Sequence, residues 1–332
     1  MRAPDFWGAP VGPIAKLLAP LGALYGAAAK ARLARPAPRA NLPTIAIGGL
    51  TLGGDGKTPT ALALGAILLE RGDRPFFLSR GHGRRNQGAT PFVVDPARHD
   101  ARDVGDEALL LARVAPTIVG ADRAAAARLA ETLGAGALVL DDGLHGRRLD
   151  PDLAILVVDA DYGAGDGFCP PAGPLRAPLA AQLAAADVIV VIGDGRGLRE
   201  PLSKPAFPAR LAPDRVVAAR IGGARVFAFA GIGRPAKFAK TLHEIGADVA
   251  GLRWFPDHHF YSPRELAALA REAARRHADL VTTGKDAARI GSNLLGLGVD
   301  VETLPVTLLF ERPEAVNSLL ADFLARARTA RL

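Results

Sequence analysis

The sequence Ile45-Ala-Ile-Gly-Gly-Leu-Thr-Leu-Gly-Gly-Asp-Gly-Lys57-Thr58-Pro59 decides the fold, because an apolar run leads directly into a glycine-rich turn that ends in Gly-Lys-Thr. The apolar run predicts a buried strand. Glycines let backbone N–H groups point at an anion, the lysine can reach the outer phosphates of a nucleotide, and the threonine hydroxyl can bind Mg²⁺. The proline suits the first turn of a helix. The pattern therefore predicts a phosphate-binding loop between a strand and a helix.

This loop departs from the usual pattern at one position, since Thr51 stands where a glycine is expected five residues before Gly56. The order of strand, loop and helix is kept, which favours a nucleotide site over an ordinary glycine-rich turn. The predicted nucleotide-binding residues are Thr51, Leu52, Gly53, Gly54, Asp55, Gly56, Lys57 and Thr58.

Downstream the chain alternates apolar runs with helical stretches, which is typical of a mainly parallel sheet with helices on both faces. Strands are expected at 45–47, 75–78, 117–119, 137–140, 154–158 and 188–192, and helices after the loop and at 106–114 and 122–133. Glycine and proline cluster at 163–178, which predicts a long loop near the site. The predicted fold class is α/β, P-loop NTPase-like, with a second, smaller α/β domain and an N-terminal amphipathic helix.

Four segments make up the predicted domain organisation. They are an N-terminal helix at 1–40, a P-loop domain at 41–202, a connector at 203–223 and a second α/β domain at 224–332. The second domain is placed there because residues 225–230 form another apolar run that leads into a glycine turn.

Composition and charge narrow the possible partners. A chain of 332 residues with 49% hydrophobic content can bury a substantial core, and its one cysteine, Cys169, excludes an internal disulfide framework. The net charge of +7 favours acidic partners such as nucleotide, anionic lipid or nucleic acid. A basic motif interleaved with aromatic residues is absent from the sequence, so no nucleic-acid partner is predicted.

The first forty residues carry an amphipathic helical pattern with Phe6-Trp7 before it and basic residues after it. A helix lying on a membrane, with tryptophan at the interface and the basic flank on anionic headgroups, fits this pattern. A helix docked on its own domain fits it equally. Interrupting prolines and Lys16 argue against a membrane-spanning helix. The apolar positions are Ile14, Leu17, Leu18, Leu21, Leu24, Tyr25 and Ala28, and the basic ones are Lys30, Arg32, Arg35 and Arg39.

Two adjacent carboxylates end the apolar run Leu138-Val-Leu-Asp141-Asp142-Gly143. In a doubly wound sheet this position faces the phosphate loop, where an acid holds Mg²⁺ directly or through water. An Asp-Gly turn is the alternative, but the presence of Lys57 and Thr58 favours a metal site. The sequence does not separate the roles of Asp141 and Asp142.

Further segments appear in an order that resembles the tetraacyldisaccharide 4′-kinase family, the lipid A kinases, over nearly the whole chain. That family's phosphate loop also lacks the first glycine, so Thr51 is no anomaly there. The segments are Phe6-Trp7 with Leu24-Tyr25-Gly26, Thr51 to Pro59, Leu78-Ser-Arg-Gly81, Gly105-Asp106-Glu107, Ala121-Asp122-Arg123, Asp141-Asp142-Gly143, Pro171-Ala-Gly-Pro-Leu-Arg176, Phe229-Ala-Gly-Ile-Gly233, Phe255-Pro-Asp-His258 and Lys285-Asp286.

The resemblance implies transfer of the γ-phosphate of ATP, with Mg²⁺, to the 4′-hydroxyl of tetraacyldisaccharide 1-phosphate in lipid A biosynthesis. It implies a peripheral location at the cytoplasmic face of the bacterial inner membrane, with contact through residues 6–35. It assigns the catalytic base to Asp106, supported by His258, and charge stabilisation to Lys57 and Arg176. We expect Asp106 and His258 to meet only when the two domains close. On residue type alone, Asp106 would be a helix cap.

Departures from the family pattern bear on the metal and on turnover. His145 stands where the family usually has glutamine, so it would have to replace that residue beside Thr58, Asp141 and Asp142 at the metal, and Gly146 follows it. Ala177 follows Arg176 where an acid is usual, and Gly284 replaces the glutamate before Lys285-Asp286. These changes affect the expected metal affinity and rate more than the reaction class.

The alternative function is a membrane-associated P-loop ATPase that acts as a switch. Such proteins with a deviant loop carry an extra lysine at the position of Leu52, and a GTPase would carry an Asn-Lys-x-Asp sequence that Lys285-Asp286 does not provide. Both are disfavoured. A switch hydrolyses nucleotide to water, whereas a kinase should hydrolyse little until lipid is present.

Overall fold

A computed structural model describes residues 4–85, 88, 90–195, 204–291 and 298–331. Within these ranges the chain forms one nine-stranded sheet and one four-stranded sheet, each with its helices. A short 3₁₀ turn at Asp5–Gly8 precedes the first helix. The α/β class and the mainly parallel sheet that we predicted are confirmed.

Within the described residues, the chain up to Ile192 supplies seven strands of the large sheet and six helices beside them. In chain order they are α1 (Pro13–Leu33), β1 (Thr44–Gly49), α2 (Lys57–Glu70), β2 (Pro75–Ser79), β3 (Phe92–Val93), α3 (Ala101–Val104), α4 (Asp106–Ala112), β4 (Thr117–Val119), α5 (Arg123–Thr132), β5 (Ala137–Leu140), β6 (Leu153–Asp159), α6 (Leu179–Ala185) and β7 (Val188–Ile192). The strands and helices expected from the apolar pattern all form, with bounds that differ by a few residues at most.

The second half begins and ends in the large sheet. Its elements are β8 (Ala206–Pro213), α7 (Arg215–Ile221), β9 (Arg225–Ala230), α8 (Pro235–Glu244), β10 (Asp248–Trp254), α9 (Pro263–Arg275), β11 (Asp279–Thr283), α10 (Gly284–Ile290), β12 (Glu302–Leu304), β13 (Val306–Phe310) and α11 (Pro313–Thr329).

The large sheet has the order β13-β8-β7-β6-β1-β5-β2-β4-β3. Its strands run parallel except at the two edges, where β3 pairs antiparallel with β4 and β13 with β8. Strand β1 lies in the middle, between β5 and β6, and every residue of it is buried. The carboxyl ends of parallel strands lie at one edge of the sheet, so the phosphate loop after β1 and the carboxylates after β5 are neighbours.

The turn from β1 into α2 requires glycine at position 56. Gly56 has a φ of +95°, a conformation that other residues adopt at a cost. A Cβ at this position would also lie 2.4 Å from Cδ1 of Ile192 in β7. The glycine therefore fixes the position at which Lys57 begins the helix.

The smaller unit is a four-stranded parallel sheet with the order β10-β9-β11-β12. Alternate residues of β9 face opposite sides of this sheet, as the period of a strand requires. Val226 and Ala228 pack in one buried cluster with Phe238 of α8, and Phe229 packs in another with Leu266 of α9. Helices therefore cover both faces of the smaller sheet.

Strand pairing corrects the predicted domain boundaries. The predicted connector contains β8, which pairs with β7 and β13 in the large sheet. The chain then leaves for the smaller unit at α7, whose Ile221 packs with Val226 of β9, and it returns at β13 and α11. That unit therefore spans about 215–304 rather than 224–332. Proline cannot donate to a neighbouring strand, but the carbonyls of Pro205 and Pro208 accept hydrogen bonds from the N–H groups of Ile189 and Glu311. The predicted boundary at 202 and 203 lies outside the described residues.

Helix α1 packs on the large unit through small residues and exposes large apolar ones. Gly22 lies so close to the loop after β6 that a Cβ would be 2.7 Å from the carbonyl oxygen of Cys169. Leu17 and Leu24 are 80% and 71% exposed. The helix is thus docked on its own domain, as one of the two predictions has it, and its large apolar residues face outward. Contact of this side with a membrane stays a prediction. No helix in the described part of the chain is long and apolar enough to cross a membrane.

Trp7 corrects one part of the predicted membrane surface. We expected it at a lipid interface, but it is only 8% exposed and its Nε1 donates to the carbonyl oxygen of Pro171 at 3.1 Å. A buried indole needs such an acceptor. Trp7 therefore anchors the N-terminal segment to the protein.

The return of α11 to the large sheet yields a stability prediction. Phe323 is 2% exposed and belongs to the same buried cluster as Leu64 and Leu68 of α2. Phe323→Ala should lower the free energy of unfolding by about 3–5 kcal/mol, because it removes a buried ring and leaves a cavity. The change should appear in urea denaturation followed by the fluorescence of Trp7, in a Trp254→Phe background where Trp7 is the sole tryptophan. An unshifted Trp7 transition would mean that α11 does not stabilise the large unit.

Candidate functional site

The phosphate loop is held in shape by Asp55. The backbone N–H and the hydroxyl of Thr51 donate to its carboxylate at 2.7 and 2.5 Å, and Asp55 is buried. The N–H of Leu52 donates to the carbonyl oxygen of Pro174 at 2.8 Å, which ties the loop to the glycine- and proline-rich segment at 163–178. The predicted nucleotide-binding residues thus form the loop that leads into the N-terminus of α2, where backbone N–H groups favour phosphate.

The two adjacent aspartates have different neighbours. The hydroxyl of Thr58 donates to Oδ2 of Asp141 at 3.2 Å, whereas Asp142 forms an ion pair with Nη1 of Arg176 at 2.9 Å. Asp142 has a φ of +57°, an unusual conformation for aspartate. Burial acts to raise the pKa of Asp142, but the charges of Arg176 and Lys57 hold it below the ordinary value. The structure therefore separates two residues that the sequence did not.

One carboxylate oxygen of Asp141 lacks a protein partner in the described part of the chain. Its Oδ1 is buried and has no hydrogen-bond partner among the residues that the structure describes. Burial, and then the nearby charge of Glu107, raises its pKa to about 7 despite the opposing charge of Lys57. A divalent cation beside Oδ1 and the Thr58 hydroxyl would offset this cost, and both are oxygen ligands of the kind that Mg²⁺ takes. The residues therefore fit a magnesium ion.

His145, which we predicted at the metal, contacts the side chain of Gln182. Its Nε2 lies 2.7 Å from Oε1 of Gln182, a buried side chain whose Nε2 donates to the carbonyl oxygens of Leu50 and Ala177. Burial, followed by the charge of Arg176, lowers the pKa of His145 to about 4, so the ring is neutral. No group of three or more His, Cys, Asp or Glu side chains within the described ranges could hold a metal by itself. His145 as a metal ligand stays a prediction.

Arg176 connects the phosphate loop to the aspartates. Its Nε donates to the carbonyl oxygen of Thr51 at 3.0 Å while its Nη1 binds Asp142. Asp142 thus serves as the carboxylate partner of Arg176, and Ala177, at the position where an acid was expected, is fully buried. The guanidinium is held at the mouth of the loop from which phosphate would be bound.

Asp106 in the large unit and His258 in the smaller unit are in contact. Asp106 is the first residue of α4, and its Oδ1 lies 3.3 Å from Nδ1 of His258, in the loop after β10. Its Oδ2 lies 3.3 Å from Nε of Arg289 in α10. The side chain caps no helix, so the capping role that residue type suggested is wrong. That the contact depends on domain closure stays a prediction.

The Asp106–His258 contact shifts both pKa values. Burial acts to raise the pKa of Asp106, but the hydrogen bond to His258 and the charges of Lys285 and Arg289 hold it well below the ordinary value. The hydrogen bond to Asp106 raises the pKa of His258 against the effect of burial. This contact therefore stabilises the fold fully below pH 6.5, the ordinary histidine value, and that contribution is lost as the pH rises through the raised pKa.

Further residues of α10 complete this charged cluster and were not among the predicted site residues. Nζ of Lys285 lies 2.7 Å from Oε1 of Glu107, and Nη2 of Arg289 lies 3.0 Å from Oδ1 of Asp286. Burial opposes the ionisation of Glu107, but the charge of Lys285 outweighs it and the pKa is about 2. Both segments, Gly105-Asp106-Glu107 and Lys285-Asp286, are among those that resemble the family pattern. Neither segment by itself predicts that Lys285 pairs with Glu107.

Arg234 is the other functional residue that sequence reasoning missed. It follows the glycine turn after β9, and its Nη2 binds Oδ1 of Asp55 at 2.8 Å and the hydroxyl of Thr51 at 2.5 Å. Its Nη1 pairs with Asp159, and its guanidinium lies 3.8 Å from the ring centroid of Tyr162. The smaller unit therefore contacts the phosphate loop directly.

Arg234 should be required for the shape of the loop. Arg234→Ala leaves the buried carboxylates of Asp55 and Asp159 with fewer partners, so we expect a loss of about 3–5 kcal/mol in the free energy of unfolding and weaker ATP binding. Urea denaturation and calorimetric titration with ATP measure the two effects. Arg253→Ala, at an exposed arginine of the same unit, is the matched control. Equal behaviour of the two variants would contradict a role for Arg234 at the loop.

Comparisons with known proteins agree with this geometry. A family model described as tetraacyldisaccharide-1-P 4′-kinase matches residues 14–325. Tetraacyldisaccharide 4′-kinase from Methylobacterium sp. (strain 4-46) is 50% identical, covering 100% of this chain and 98% of that protein. The enzyme of that name from Bradyrhizobium diazoefficiens is 47% identical, covering 100% and 99%. The crystal structure of LpxK from Aquifex aeolicus in complex with ATP has a TM-score of 0.71 at 25% identity, covering 94% of this chain and 99% of that one. This chain therefore belongs to the tetraacyldisaccharide-1-P 4′-kinase family.

Proposed function

We propose that this kinase transfers the γ-phosphate of ATP to the 4′-hydroxyl of tetraacyldisaccharide 1-phosphate and that the Asp106–His258 pair accepts the hydroxyl proton. One observation carries the proposal. The buried carboxylate of Asp106 in the large unit lies 3.3 Å from the ring of His258 in the smaller unit, and the charge of Lys57 in the phosphate loop lowers the pKa of the adjacent Glu107. A proton acceptor and a phosphate cradle therefore share one edge of the sheet.

The donor would lie on the phosphate loop. Backbone N–H groups at the start of α2 and the ammonium of Lys57 would bind the outer phosphates. Arg176, held by the Thr51 carbonyl and Asp142, would also offset charge on the transferred group. Lys57 and Arg176 thus act through position and charge.

Thr58 and Asp141 would hold Mg²⁺. The buried, unpartnered Oδ1 of Asp141 and the adjacent hydroxyl supply oxygen ligands, and the phosphates supply others. When bound, the ion would neutralise charge that develops on the phosphoryl oxygens. Asp142, already paired with Arg176, would act on the metal only at longer range.

The acceptor hydroxyl is a poor nucleophile at neutral pH, so a base must accept its proton during the transfer. The low pKa of Asp106 keeps the carboxylate ionised and able to accept a hydrogen bond from the hydroxyl. A weak base is enough where little bonding to the nucleophile has formed at the transition state. His258 would share the proton and orient the carboxylate through its Nδ1.

Asp106→Asn should lower kcat for lipid phosphorylation by about 10²–10⁴-fold, the usual contribution of a general base, with the Kd for ATP unchanged. Transfer of labelled γ-phosphate to tetraacyldisaccharide 1-phosphate in detergent micelles, with and without Mg²⁺, measures this. Lys57→Ala should abolish transfer, and Asp103→Asn, at an exposed aspartate of α3, should behave as wild type. Label released only to water by the wild-type protein would favour an ATPase switch, and full activity of Asp106→Asn would remove Asp106 as the base.

Helix α1 would carry the enzyme to the membrane that holds its lipid, at the cytoplasmic face of the bacterial inner membrane. Ile14, Leu17, Leu21 and Leu24 are exposed on it, and Lys30 and Arg32 lie in its last turn. Exposed leucines suit the acyl chain boundary, and basic residues suit anionic headgroups. Trp7 has no part in this surface.

A double variant tests this surface. Leu17→Glu with Leu24→Glu should weaken binding to anionic phospholipid vesicles by tenfold or more for each leucine, since burial of one leucine is worth about 1.5–3 kcal/mol. Vesicle sedimentation measures binding, and ATP affinity should not change. Val216→Glu, at an apolar residue that is 74% exposed on α7, is the control. Unchanged vesicle binding by the double variant would show that α1 is only a docking helix.

A further inference from the structure

The loop between β10 and α9 directs alternate side chains to different units. His259 and Tyr261 belong to the smaller unit, where the ring of His259 stacks on that of Phe255 with 4.7 Å between centroids and Tyr261 is fully buried. His258 and Phe260 instead contact the large unit. The proposed transfer uses His258 but assigns no role to Phe260.

Phe260 provides an apolar contact between the two units. Its side chain packs against a buried cluster of the large unit that includes Val104 of α3 and Ala108 and Leu109 of α4. The guanidinium of Arg102, also in α3, lies 5.3 Å from the centroid of the Phe260 ring, within the range in which a cation is attracted to an aromatic face. Phe260 is partly buried, so a residue of the smaller unit extends the core of the large one.

The helix that receives Phe260 also supplies the residue that His258 contacts. Asp106 begins α4, so Ala108 and Leu109 lie within one turn of it. His258 itself has a φ of +60°, an uncommon conformation for a residue other than glycine. The contact of Phe260 with α4 therefore fixes the backbone, two residues away from the imidazole, relative to Asp106.

The polar contact and the apolar contact depend on protonation in different ways. The attraction between Asp106 and His258 depends on the charge of both groups, and that charge changes when the pair accepts a proton. Burial of an aromatic ring involves no titrating group, so the contact of Phe260 has the same strength in every protonation state of the pair. An apolar contact can thus keep the loop in place through the step in which the polar contact weakens.

We propose that Phe260 is a positioning residue for the phosphate transfer, whose packing on α3 and α4 keeps His258 at Asp106. The proposal rests on the function proposed above and concerns the proton-accepting side of the site. Arg234 contacts the phosphate loop through a different turn, the one after β9. Loss of the Phe260 ring should therefore impair proton acceptance and leave nucleotide binding intact.

Phe260→Ala tests this role in two measurements. It should lower kcat for phosphorylation of tetraacyldisaccharide 1-phosphate by about tenfold to a hundredfold, since a misplacement of about 1 Å costs this much, with the KM for ATP unchanged. In NMR titration the pKa of His258 should fall toward 6.5, because Asp106 would no longer stabilise the imidazolium. Phe260→Leu, which keeps an apolar side chain, should lose less in both measurements. Leu252→Ala, at a 40% exposed residue of β10, is the control and should behave as wild type.

A double variant separates positioning from general support of the fold. In a His258→Gln background the residue that Phe260 positions is gone, so Phe260→Ala should cause little further loss of kcat. Losses that multiply would overturn the inference, because Phe260 would then act independently of His258.

Two other results would also overturn the inference. A His258 pKa that is the same in Phe260→Ala and in wild type would mean that the ring does not hold the imidazole at Asp106. A raised KM for ATP would mean that Phe260 supports the docking of the whole smaller unit. Failure of the proposed function looks different, because wild-type protein would then phosphorylate no lipid, while the NMR comparison still reports on the contact.

Discussion

The contact between the smaller unit and the carboxyl edge of the large sheet is the constraint on which the rest of the structure depends. Arg234 pairs with Asp55 and Asp159, His258 with Asp106, and Lys285 with Glu107. In each pair the carboxylate lies in the large unit and the cation in the smaller one. Buried carboxylates are costly when a partner is removed. The smaller unit is therefore required both for the stability of this edge and for the assembly of the site.

Local signals in the sequence predicted the centre of the fold. The apolar run of β1, the glycine turn and the carboxylates after β5 are each visible within a few residues, and parallel strands bring them together by rule. The pairing of β8 and the contacts of Arg234 depend on residues distant in the chain. The sequence analysis assigned the residues of β8 to a connector, and Arg234 binds Asp55, which is 179 residues away in the chain. Contacts between residues so distant in the chain could not be predicted from one sequence.

Helix α1 and the neighbouring residues Asp141 and Asp142 are two further cases in which the sequence did not determine the role of a residue. A helical apolar pattern does not say which side packs, and here close approach through Gly22 and Gly26 leaves the leucines outside. Two neighbouring carboxylates are equivalent in sequence, yet the positive φ of Asp142 turns it toward Arg176 and leaves Asp141 beside Thr58. In both cases backbone geometry decides a role that residue type left open.

Titration of His258 by NMR tests the contact between the two units most directly. The carboxylate of Asp106 stabilises the imidazolium, so the pKa of His258 should lie above 6.5 in the wild-type protein and should fall in Asp106→Asn. His258→Gln assigns the resonance, and Asp257→Asn, which removes a more weakly acting carboxylate, should lower the pKa by less. A His258 pKa that does not change in Asp106→Asn would contradict the account, because the two units would then not meet at the site.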